Sequence, residues 1–498
     1  MSNAVEMEIK LILDKRNQAK LLKQSLIKNA MREKEGKLLK LVSTYYDTRD
    51  YKLANTGMAY RVRKTGKAYE ATVKTMGENI GGFSARGEYT VPLAKRKVVL
   101  KGFGTSFDKK LQTLLADDEL QKLFDVEVNR TIYMLQITAT TLVEMAIDEG
   151  EIKAEGAVAP ISEIELELKE GKIEELFTFV AELSEQLPLF TENRSKFKRG
   201  LDLMAGTENT NSQLPAVPSL TKENNAEKEY KKLLEYYLGA VLVEQNKLLT
   251  NEGLAEADIN MLPAWNAVMA LWTLAEPLIP EEDFKLQGKS LGELKQNLQS
   301  LALLHSYQAD WQELGTLYPH EICPEQLNKP LEDREKTILK QLHKDIQNGV
   351  YTAVVFKLLA YLATTAWQGA TYLQLDQFID YRLKTLREEM AQYKVDIGNG
   401  QEQLEALESI AYGFVLLGAE VKTAKLNKAT YNRINKLHQR IMAISTKAVV
   451  QDSLLALCQT AADDKLCGNG GILKGYRLAL QARAWKKLAK LVVKKEVK

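Results

Sequence analysis

The chain has 498 residues, of which 45% are hydrophobic and 27% are charged. A single hydrophobic core stops growing at about 250 to 300 residues, so this length predicts at least two domains of ordinary globular composition. The net charge of +2, from 68 basic and 66 acidic residues, gives no overall field for nucleic acid or an anionic membrane. We therefore expect neither as a partner, and any anion site must be a local cluster.

Residues 1–204 alternate short stretches typical of β-strands with a few helical ones. Residues 6–11 put two glutamates and a lysine on one face of a strand and three apolar side chains on the other. The same alternation recurs along the chain. It produces charged faces that carry Glu6, Glu8 and Lys10; Arg61 and Arg63; Glu70 and Lys74; Arg86 and Glu88; Glu144 and Asp148; and Glu163, Glu165 and Glu167.

These charged faces either meet water or line a closed barrel. Alternation alone favours charged faces that are exposed to water. However, Glu163, Glu165 and Glu167 repel one another within one strand, which favours an opposite charge brought to them. Predicted helices at about 15–28, 107–123 and 172–186 can cover the apolar faces and leave the charged faces inside. Because burying many unpaired charges is prohibitive, such a barrel must hold water or a ligand.

A ligand of this interior must complement both signs of charge. Paired carboxylates are hard oxygen donors that suit Mg²⁺ or Mn²⁺, whereas lysine and arginine suit phosphate oxygens. A metal–polyphosphate complex satisfies both sets.

A polar stretch without periodicity, followed by Pro215 and Pro218, predicts a linker over 205–222. Residues 223–498 have helical periodicity, and the stripe of Trp265, Val268, Met269 and Trp272 is interpreted as core. The chain begins with charges where a secretory leader is apolar, and no uncharged run reaches about 18 residues. We therefore expect a cytoplasmic protein without a membrane span.

Several short motifs follow the first strand in a fixed order. They are Glu6-Met7-Glu8-Ile9-Lys10, Tyr45-Tyr46-Asp47-Thr48, the stretch from Gly57 to Arg63, Thr72-Val73-Lys74, Arg86-Gly87-Glu88-Tyr89, Asn129-Arg130, Asp148-Glu149-Gly150, Glu163-Ile164-Glu165 and Ser195-Lys196-Phe197. In this order the first part of the chain resembles the CYTH, or triphosphate tunnel metalloenzyme, family. The resemblance implies an α+β fold with an eight-stranded antiparallel β-barrel over 1–204, followed by an all-α helical bundle over 223–498.

The resemblance also implies roles for individual residues. Lys10, Arg63 and Glu165 are expected to be catalytic. The expected ligands of Mg²⁺ or Mn²⁺ are Glu6, Glu8, Asp148, Glu163, Glu165 and, as an additional ligand, Glu167. The expected contacts of the triphosphate are Lys10, Arg61, Arg63, Lys74, Arg86, Arg130 and Lys196. For Glu70 and Glu88 an interior ion pair and a metal role stay equally open, and Tyr45 and Tyr46 are interpreted as core.

The helical part resembles the CHAD domain that follows CYTH in bacterial inorganic triphosphatases, which implies metal-dependent hydrolysis of inorganic triphosphate to pyrophosphate and phosphate. Nucleotide or thiamine triphosphate hydrolysis, an adenylate cyclase and a non-catalytic polyphosphate-binding protein stay as alternatives. CHAD domains that bind polyphosphate carry His-x-x-Arg helices, whereas residues 262–272 contain neither histidine nor arginine and only Lys436-Leu437-His438-Gln439-Arg440 is partly similar. A structural role is therefore favoured over polyphosphate binding.

Overall fold

The structure is a computed structural model. It describes residues 3–12, 15–80, 82–116, 118–206, 216–249, 251–322, 325–367, 373–392, 401–421, 426–447 and 464–493. These residues form two compact units. The first comprises Met1–Pro215 with Asn348–Thr364, and the second comprises Ala216–Gln347 with Thr365–Lys498.

The first unit contains one antiparallel sheet that closes on itself. Its strands are β1 (Asn3–Ile12), β2 (Lys37–Asp47), β3 (Ala59–Thr65), β4 (Ala68–Lys74), β5 (Glu78–Ile80), β6 (Phe83–Leu93), β7 (Gln121–Gln136), β8 (Leu142–Ala154), β9 (Ala157–Glu170) and β10 (Phe190–Thr191). Eight of them follow the order β1-β9-β8-β7-β2-β3-β4-β6, and β6 pairs with β1. The predicted eight-stranded antiparallel barrel is therefore confirmed, with β5 and β10 as short additions.

Both faces of the barrel strands are withdrawn from water. In β1 the apolar Ile9 and Leu11 are fully buried, but Glu8 and Lys10 on the opposite face are only 2% and 6% exposed. A half-buried sheet would leave its polar face wet. The charged face therefore lies inside the barrel, as the segregation of like charges predicts.

Helices cover the apolar outer face of the barrel. They are α1 (Lys15–Leu21), α2 (Ser25–Ala30), α3 (Lys52–Asn55), α4 (Thr105–Leu115) and α5 (Ile173–Gln186). A sixth helix, α6 (Lys196–Met204), packs instead on inward-facing apolar side chains, where Phe197 contacts Tyr45 and Phe124. The predicted helix at 15–28 is divided into two short helices. The helix predicted over 107–123 was wrong at its end, because Ala116 has a φ of 49° and stops α4, and Gln121 already belongs to β7.

The remaining helices follow the barrel in the chain. They are α7 (Ala226–Lys247), α8 (Ala257–Ala275), α9 (Glu281–Leu317), α10 (Glu325–Gln347), α11 (Val350–Thr364), α12 (Leu375–Gln392), α13 (Gln401–Glu420), α14 (Lys428–Ser445) and α15 (Asp464–Val493), with short 3₁₀ turns at Asn251–Glu256 and Glu276–Leu278. This confirms the predicted helical second part of the chain.

The second unit is built around α8, which packs against α7, α9 and α13. Trp265 and Trp272 on α8 are buried, and the indole N–H of Trp265 donates to the Leu291 carbonyl at 2.9 Å. Val268 is fully buried as well, so the interpretation of this stripe as core is confirmed.

Among the described residues no single helix is long and apolar enough to cross a membrane. The consecutive helices Leu327–Gln347 and Val350–Thr364, which meet at a bend of 53°, are together long and apolar enough by length and composition alone.

Helix α11 belongs to the first unit although it lies far along the chain. It packs against α5, where the rings of Phe356 and Phe177 have centroids 6.1 Å apart. The ring centroid of Phe177 lies 5.4 Å from that of Phe83 in β6. Lys357 of α11 also forms an ion pair with Glu185 of α5. The domain boundaries 1–204, 205–222 and 223–498 stay a prediction. Residues 207–215 of the predicted linker lie outside the described residues. The predicted boundaries assign α11 to the second part of the chain.

Candidate active site

Closure of the barrel brings the charged faces of its strands together on the inside. Glu6 of β1 lies opposite Arg86 of β6, and Arg130 of β7 lies opposite Asp148 of β8. Lys196 joins them from the first residue of α6. The predicted residues that the strands place on this inner face are Glu6, Glu8, Lys10, Arg61, Arg63, Lys74, Arg86, Arg130, Asp148, Glu163, Glu165 and Glu167.

A first cluster of opposite charges lies between β1, β4 and β6. Lys74 Nζ lies 2.5 Å from Glu6 Oε2 and 3.2 Å from Glu88 Oε2, while Arg86 Nη2 lies 2.7 Å from Glu8 Oε1. Burial opposes ionisation of Glu88, but the charge of Lys74 outweighs it and lowers the pKa of Glu88 to about 2. Glu88 thus forms interior ion pairs with Lys74 and Arg61, and the metal role stays a prediction.

A second cluster lies between β7, β8, β9 and α6. Lys196 Nζ lies 2.7 Å from Asp148 Oδ2 and 2.9 Å from Glu165 Oε1, and it also contacts Glu163 Oε1. Arg130 holds Asp148 through two hydrogen bonds of 2.7 Å and reaches Glu165 Oε2 at 2.5 Å. Burial opposes ionisation, but these cations lower the pKa of both Asp148 and Glu165.

Lys10 connects the two clusters. Its Nζ lies 2.9 Å from Glu8 Oε1 and 3.4 Å from Glu165 Oε1. Burial favours the neutral amine, yet these two carboxylates raise the pKa of Lys10 and keep it charged. Of the three residues predicted to be catalytic, Lys10 and Glu165 are thus brought together, whereas Arg63 contacts Ser43 and Glu70.

A third region lies around Arg61 and Arg63, whose carboxylate partners are farther away than those of the other interior cations. Arg63 Nε donates to Ser43 Oγ at 3.1 Å, and its closest carboxylate is Glu70 at 3.9 Å. Burial, together with the charges of Arg61 and Arg130, lowers the pKa of Arg63 to about 10. Arg61 reaches Glu88 only at 3.6 Å, and its Nε is a buried donor with no hydrogen-bond partner.

The tyrosine of this region was only partly anticipated. The ring of Tyr45 stacks on Phe124 and Phe197, with centroids 5.0 and 5.5 Å away, so its predicted place in the core is confirmed. The hydroxyl of Tyr45, however, forms a hydrogen bond with the Arg61 side chain. Burial raises the pKa of such a phenol, but Arg61 and Arg63 lower that of Tyr45 below its usual value.

The sequence prediction missed one residue of the second cluster. Arg199 Nη1 lies 3.0 Å from Glu163 Oε2, one turn along α6 from Lys196. Its spacing of three residues from Lys196 in a helix was the signal that places both side chains on one face.

Glu167 lies apart from both clusters. Its carboxylate is 2.7 Å from Lys169 Nζ, and burial raises its pKa. Glu144, its neighbour across β8 and β9, lies 3.7 Å from the same ammonium. The structure therefore does not bring Glu167 to the cluster of Asp148, Glu163 and Glu165.

This cluster has the chemistry of a metal site. Each of its three buried carboxylates offers an oxygen, and the three oxygens lie within 4.8 Å of one another. Anionic oxygen donors in this number suit a hard divalent cation. Glu6 and Glu8 form their own cluster with Lys74 and Arg86, so the predicted ligands are divided between two places in the barrel.

The lowered pKa values predict how the stability of the barrel depends on pH. A carboxyl whose pKa is lowered on folding contributes stability above its ordinary pKa and loses it as the pH falls through the lowered value. The contribution of Glu88 should thus be complete above its ordinary value of 4.5 and should disappear toward its folded value of about 2. Asp148 and Glu165 act in the same direction.

Denaturant unfolding at a series of pH values checks this expectation. The free energy of unfolding should be flat from neutral pH down to about 4.5 and should fall steeply below it. A loss of stability that is already complete above pH 4.5 would contradict the assignment of these carboxyls to buried ion pairs.

The barrel part of the chain matches a known protein family. A model of the CYTH domain matches residues 4–201. Residues 4–201 are a CYTH domain. The inorganic triphosphatase of Haemophilus influenzae is 34% identical over 171 residues, which are 33% of this chain and 46% of that protein. The chain thus spans about half the length of this relative.

Solved structures similar to the CYTH domain include two that are described as candidate cyclases. One, from Hippeastrum, is described as having a dominant triphosphatase activity; it is 19% identical, with a TM-score of 0.30 over 41% of this chain and 96% of that one. The other, from Bacillus halodurans, is 19% identical, with a TM-score of 0.28 over 40% of this chain and 98% of that one.

Proposed function

We propose that the CYTH domain hydrolyses inorganic triphosphate to pyrophosphate and phosphate with Mg²⁺ or Mn²⁺. Two observations support the proposal. The barrel interior holds buried groups of both signs, and the domain matches an inorganic triphosphatase at 34% identity. The identity of the substrate is the point to test.

The observation that carries the proposal is the loose pairing of Arg61 and Arg63, whose nearest carboxylates lie 3.6 and 3.9 Å away. No carboxylate lies within 3.5 Å of the guanidinium group of Arg61 or of Arg63. Arg130 is near enough to lower the pKa of Arg63. Buried cations repel one another unless an anion lies between them. A triphosphate supplies several anionic oxygens to guanidinium donors and so satisfies this region.

The carboxylates assign the rest of the chemistry. Asp148, Glu163 and Glu165 would hold a divalent cation, with Glu6 and Glu8 as a further pair of donors. Such a cation, when bound, neutralises charge on the phosphate chain and polarises the attacked phosphorus. Lysine and arginine side chains would orient the chain and stabilise the charge that develops on the leaving pyrophosphate. We propose water as the nucleophile, since hydrolysis then needs no covalent intermediate on the protein.

The second unit is proposed to have a structural role. In its partial His-x-x-Arg segment the ring of His438 stacks on Tyr412, with centroids 4.7 Å apart, and burial lowers the pKa of His438. A neutral, stacked imidazole does not attract a polyanion. This placement supports the interpretation that long-chain polyphosphate is not a ligand of the helical unit.

The test is an assay of phosphate release by the full chain. With Mg²⁺ or Mn²⁺ present, turnover of inorganic triphosphate should exceed that of ATP and of thiamine triphosphate, because the proposed site binds only the phosphate chain. Preferential turnover of either organic triphosphate, or formation of cyclic AMP from ATP, would reject the proposed substrate.

Arg63→Ala should weaken binding of triphosphate. Losing one charged hydrogen-bond donor costs about 1.5 to 3 kcal/mol, so KM should rise about tenfold to a hundredfold. Triphosphate should also raise the melting temperature of the wild-type protein by mass action, and raise that of the variant much less.

The matched control is Arg96→Ala. Arg96 is an exposed arginine whose Nη2 donates to Thr44 Oγ1 at 2.6 Å on the outside of the barrel. Its removal should leave KM unchanged. Equal effects of the two substitutions, or no thermal shift of the wild-type protein at saturating triphosphate, would count against a phosphate site at Arg63.

A further inference from the structure

One buried ammonium group occupies the centre of the three-carboxylate cluster. Lys196 Nζ is 2.7 Å from Asp148 Oδ2 and 2.9 Å from Glu165 Oε1, and it contacts Glu163 Oε1. These are the same three residues that each offer a carboxylate oxygen to the group within 4.8 Å. A single cation thus already contacts all three carboxylates, at the place from which a divalent ion would share them.

The ammonium and a metal ion compete for these oxygens. Mg²⁺ lies about 2.1 Å from its ligands, closer than the 2.7 and 2.9 Å of Lys196. An ion bonded to the same oxygens would therefore be within a few ångströms of Nζ, where two positive charges repel strongly in a buried site. The two cations therefore destabilise each other in this cluster.

The carboxylates of the cluster are fully compensated when Lys196 is in place. Three carboxylates are contacted by four cations, namely Lys196, Arg130, Arg199 and Lys10, the last of which is shared with Glu8. A divalent ion added beside Lys196 would bring two more positive charges to a cluster that has no uncompensated carboxylate. If the ammonium moves away as the ion enters, the carboxylates stay paired and one free ammonium is released into the barrel.

The position of Lys196 in the chain permits this movement. It is the first residue of α6, and its backbone is fixed by the N-cap of Ser195, whose Oγ accepts from the Lys198 N–H. The four-carbon side chain can change rotamer while the helix stays in place. The ammonium is therefore the part of the cluster that is free to rearrange.

We propose that Lys196 is an internal counter-cation that holds the metal position among Asp148, Glu163 and Glu165 and is displaced when the metal binds. This inference rests on the proposed function, in which the displaced ammonium then contacts the triphosphate. Metal and substrate binding are thereby coupled, because the ion that enters the cluster releases a phosphate ligand.

Lys196→Met in the full chain tests the competition without substrate. Removing the competing charge should tighten binding of Mn²⁺ about tenfold or more relative to wild type, as measured by calorimetry in the absence of triphosphate. Because three carboxylates then lack one counter-charge, the melting temperature should also fall in a chelator and recover on addition of Mn²⁺. Unchanged Mn²⁺ affinity would overturn the proposal.

The matched control is Lys169→Met. Lys169 pairs with Glu167 at 2.7 Å in the same barrel but lies outside the three-carboxylate cluster. Its removal should leave Mn²⁺ affinity unchanged. An equal gain in both variants would show a general effect of charge and reject displacement at Lys196.

A measurement on the wild-type protein covers the case in which Lys196→Met does not fold. Reductive methylation of Lys196, followed by peptide mass spectrometry, should be slow in a chelator because the residue is only 9% exposed. Saturating Mn²⁺ should speed it about tenfold if the ammonium is displaced; an unchanged rate would overturn the proposal. Neither measurement uses triphosphate, so loss of the proposed substrate and loss of this inference are separate outcomes.

Discussion

Replacing Glu165 with glutamine should lower the turnover of triphosphate by about a hundredfold or more and leave the barrel folded. Glu165 lies where three cations converge: Oε1 is 2.9 Å from Lys196 and 3.4 Å from Lys10, and Oε2 is 2.5 Å from Arg130. Glutamine keeps the shape of the side chain but removes the charge. A neutral amide binds a hard divalent cation weakly, so the loss should be largest at limiting metal.

The control for this substitution is Glu127→Gln. Glu127 is also a strand carboxylate paired with a lysine, at 3.0 Å from Lys153, but both side chains of that pair are about 40% exposed. Turnover and metal dependence should be unchanged in this variant, and circular dichroism should show that both variants are folded. Near wild-type turnover of Glu165→Gln at limiting Mn²⁺ would remove Glu165 from the proposed site.

Phe356→Ala should destabilise the barrel unit, although the residue is far from it in sequence. Phe356 is fully buried, and its ring packs 6.1 Å from Phe177 of α5. Truncating a buried phenylalanine to alanine costs about 3 to 5 kcal/mol, a large part of the roughly 5 to 15 kcal/mol that stabilises a domain. Amide hydrogen exchange in β1 and β9, and the temperature at which activity is lost, report on this unit specifically.

The comparison for Phe356→Ala is Lys357→Ala, on the neighbouring residue of the same helix. Lys357 and Glu185 form an ion pair whose side chains are 51% and 49% exposed, and such pairs contribute about 0 to 1 kcal/mol. Exchange in the barrel strands should be almost unchanged in this variant. If Phe356→Ala also left exchange in β1 and β9 unchanged, α11 would not be part of the core of the first unit.

The inner face of the barrel was predictable because strand alternation is a local property. The glutamates of β9 and the arginines of β3 repel their own neighbours along the strand, and only an enclosed ionic interior explains both at once. The structure confirms this enclosure, since Glu163 and Arg61 are only 1% and 8% exposed. Helix ends were less predictable: α4 stops at Ala116 through a left-handed backbone that no residue type nearby requires.

Pairings between distant segments could not be read from local patterns. The assignment of α11 to the barrel unit depends on which apolar face of α5 is left uncovered, and the periodicity of residues 350–364 fits a bundle equally well. Likewise, alternation placed Asp148 and Glu163 on charged faces but gave no information about the cation that lies between them. That the cation is Lys196 follows from the tertiary position of α6.

The insertion of α11 has a consequence for how the protein is made on the ribosome. Synthesis proceeds at about 5 to 20 residues per second, so the stretch from Gln186, the end of α5, to Thr364, the end of α11, takes roughly ten seconds or more. During that interval the nascent barrel already has the eight strands that close it but lacks the helix that covers Phe177. Its apolar surface then stays open to chaperones and to other nascent chains, and the last step of its folding waits for translation of a segment far downstream.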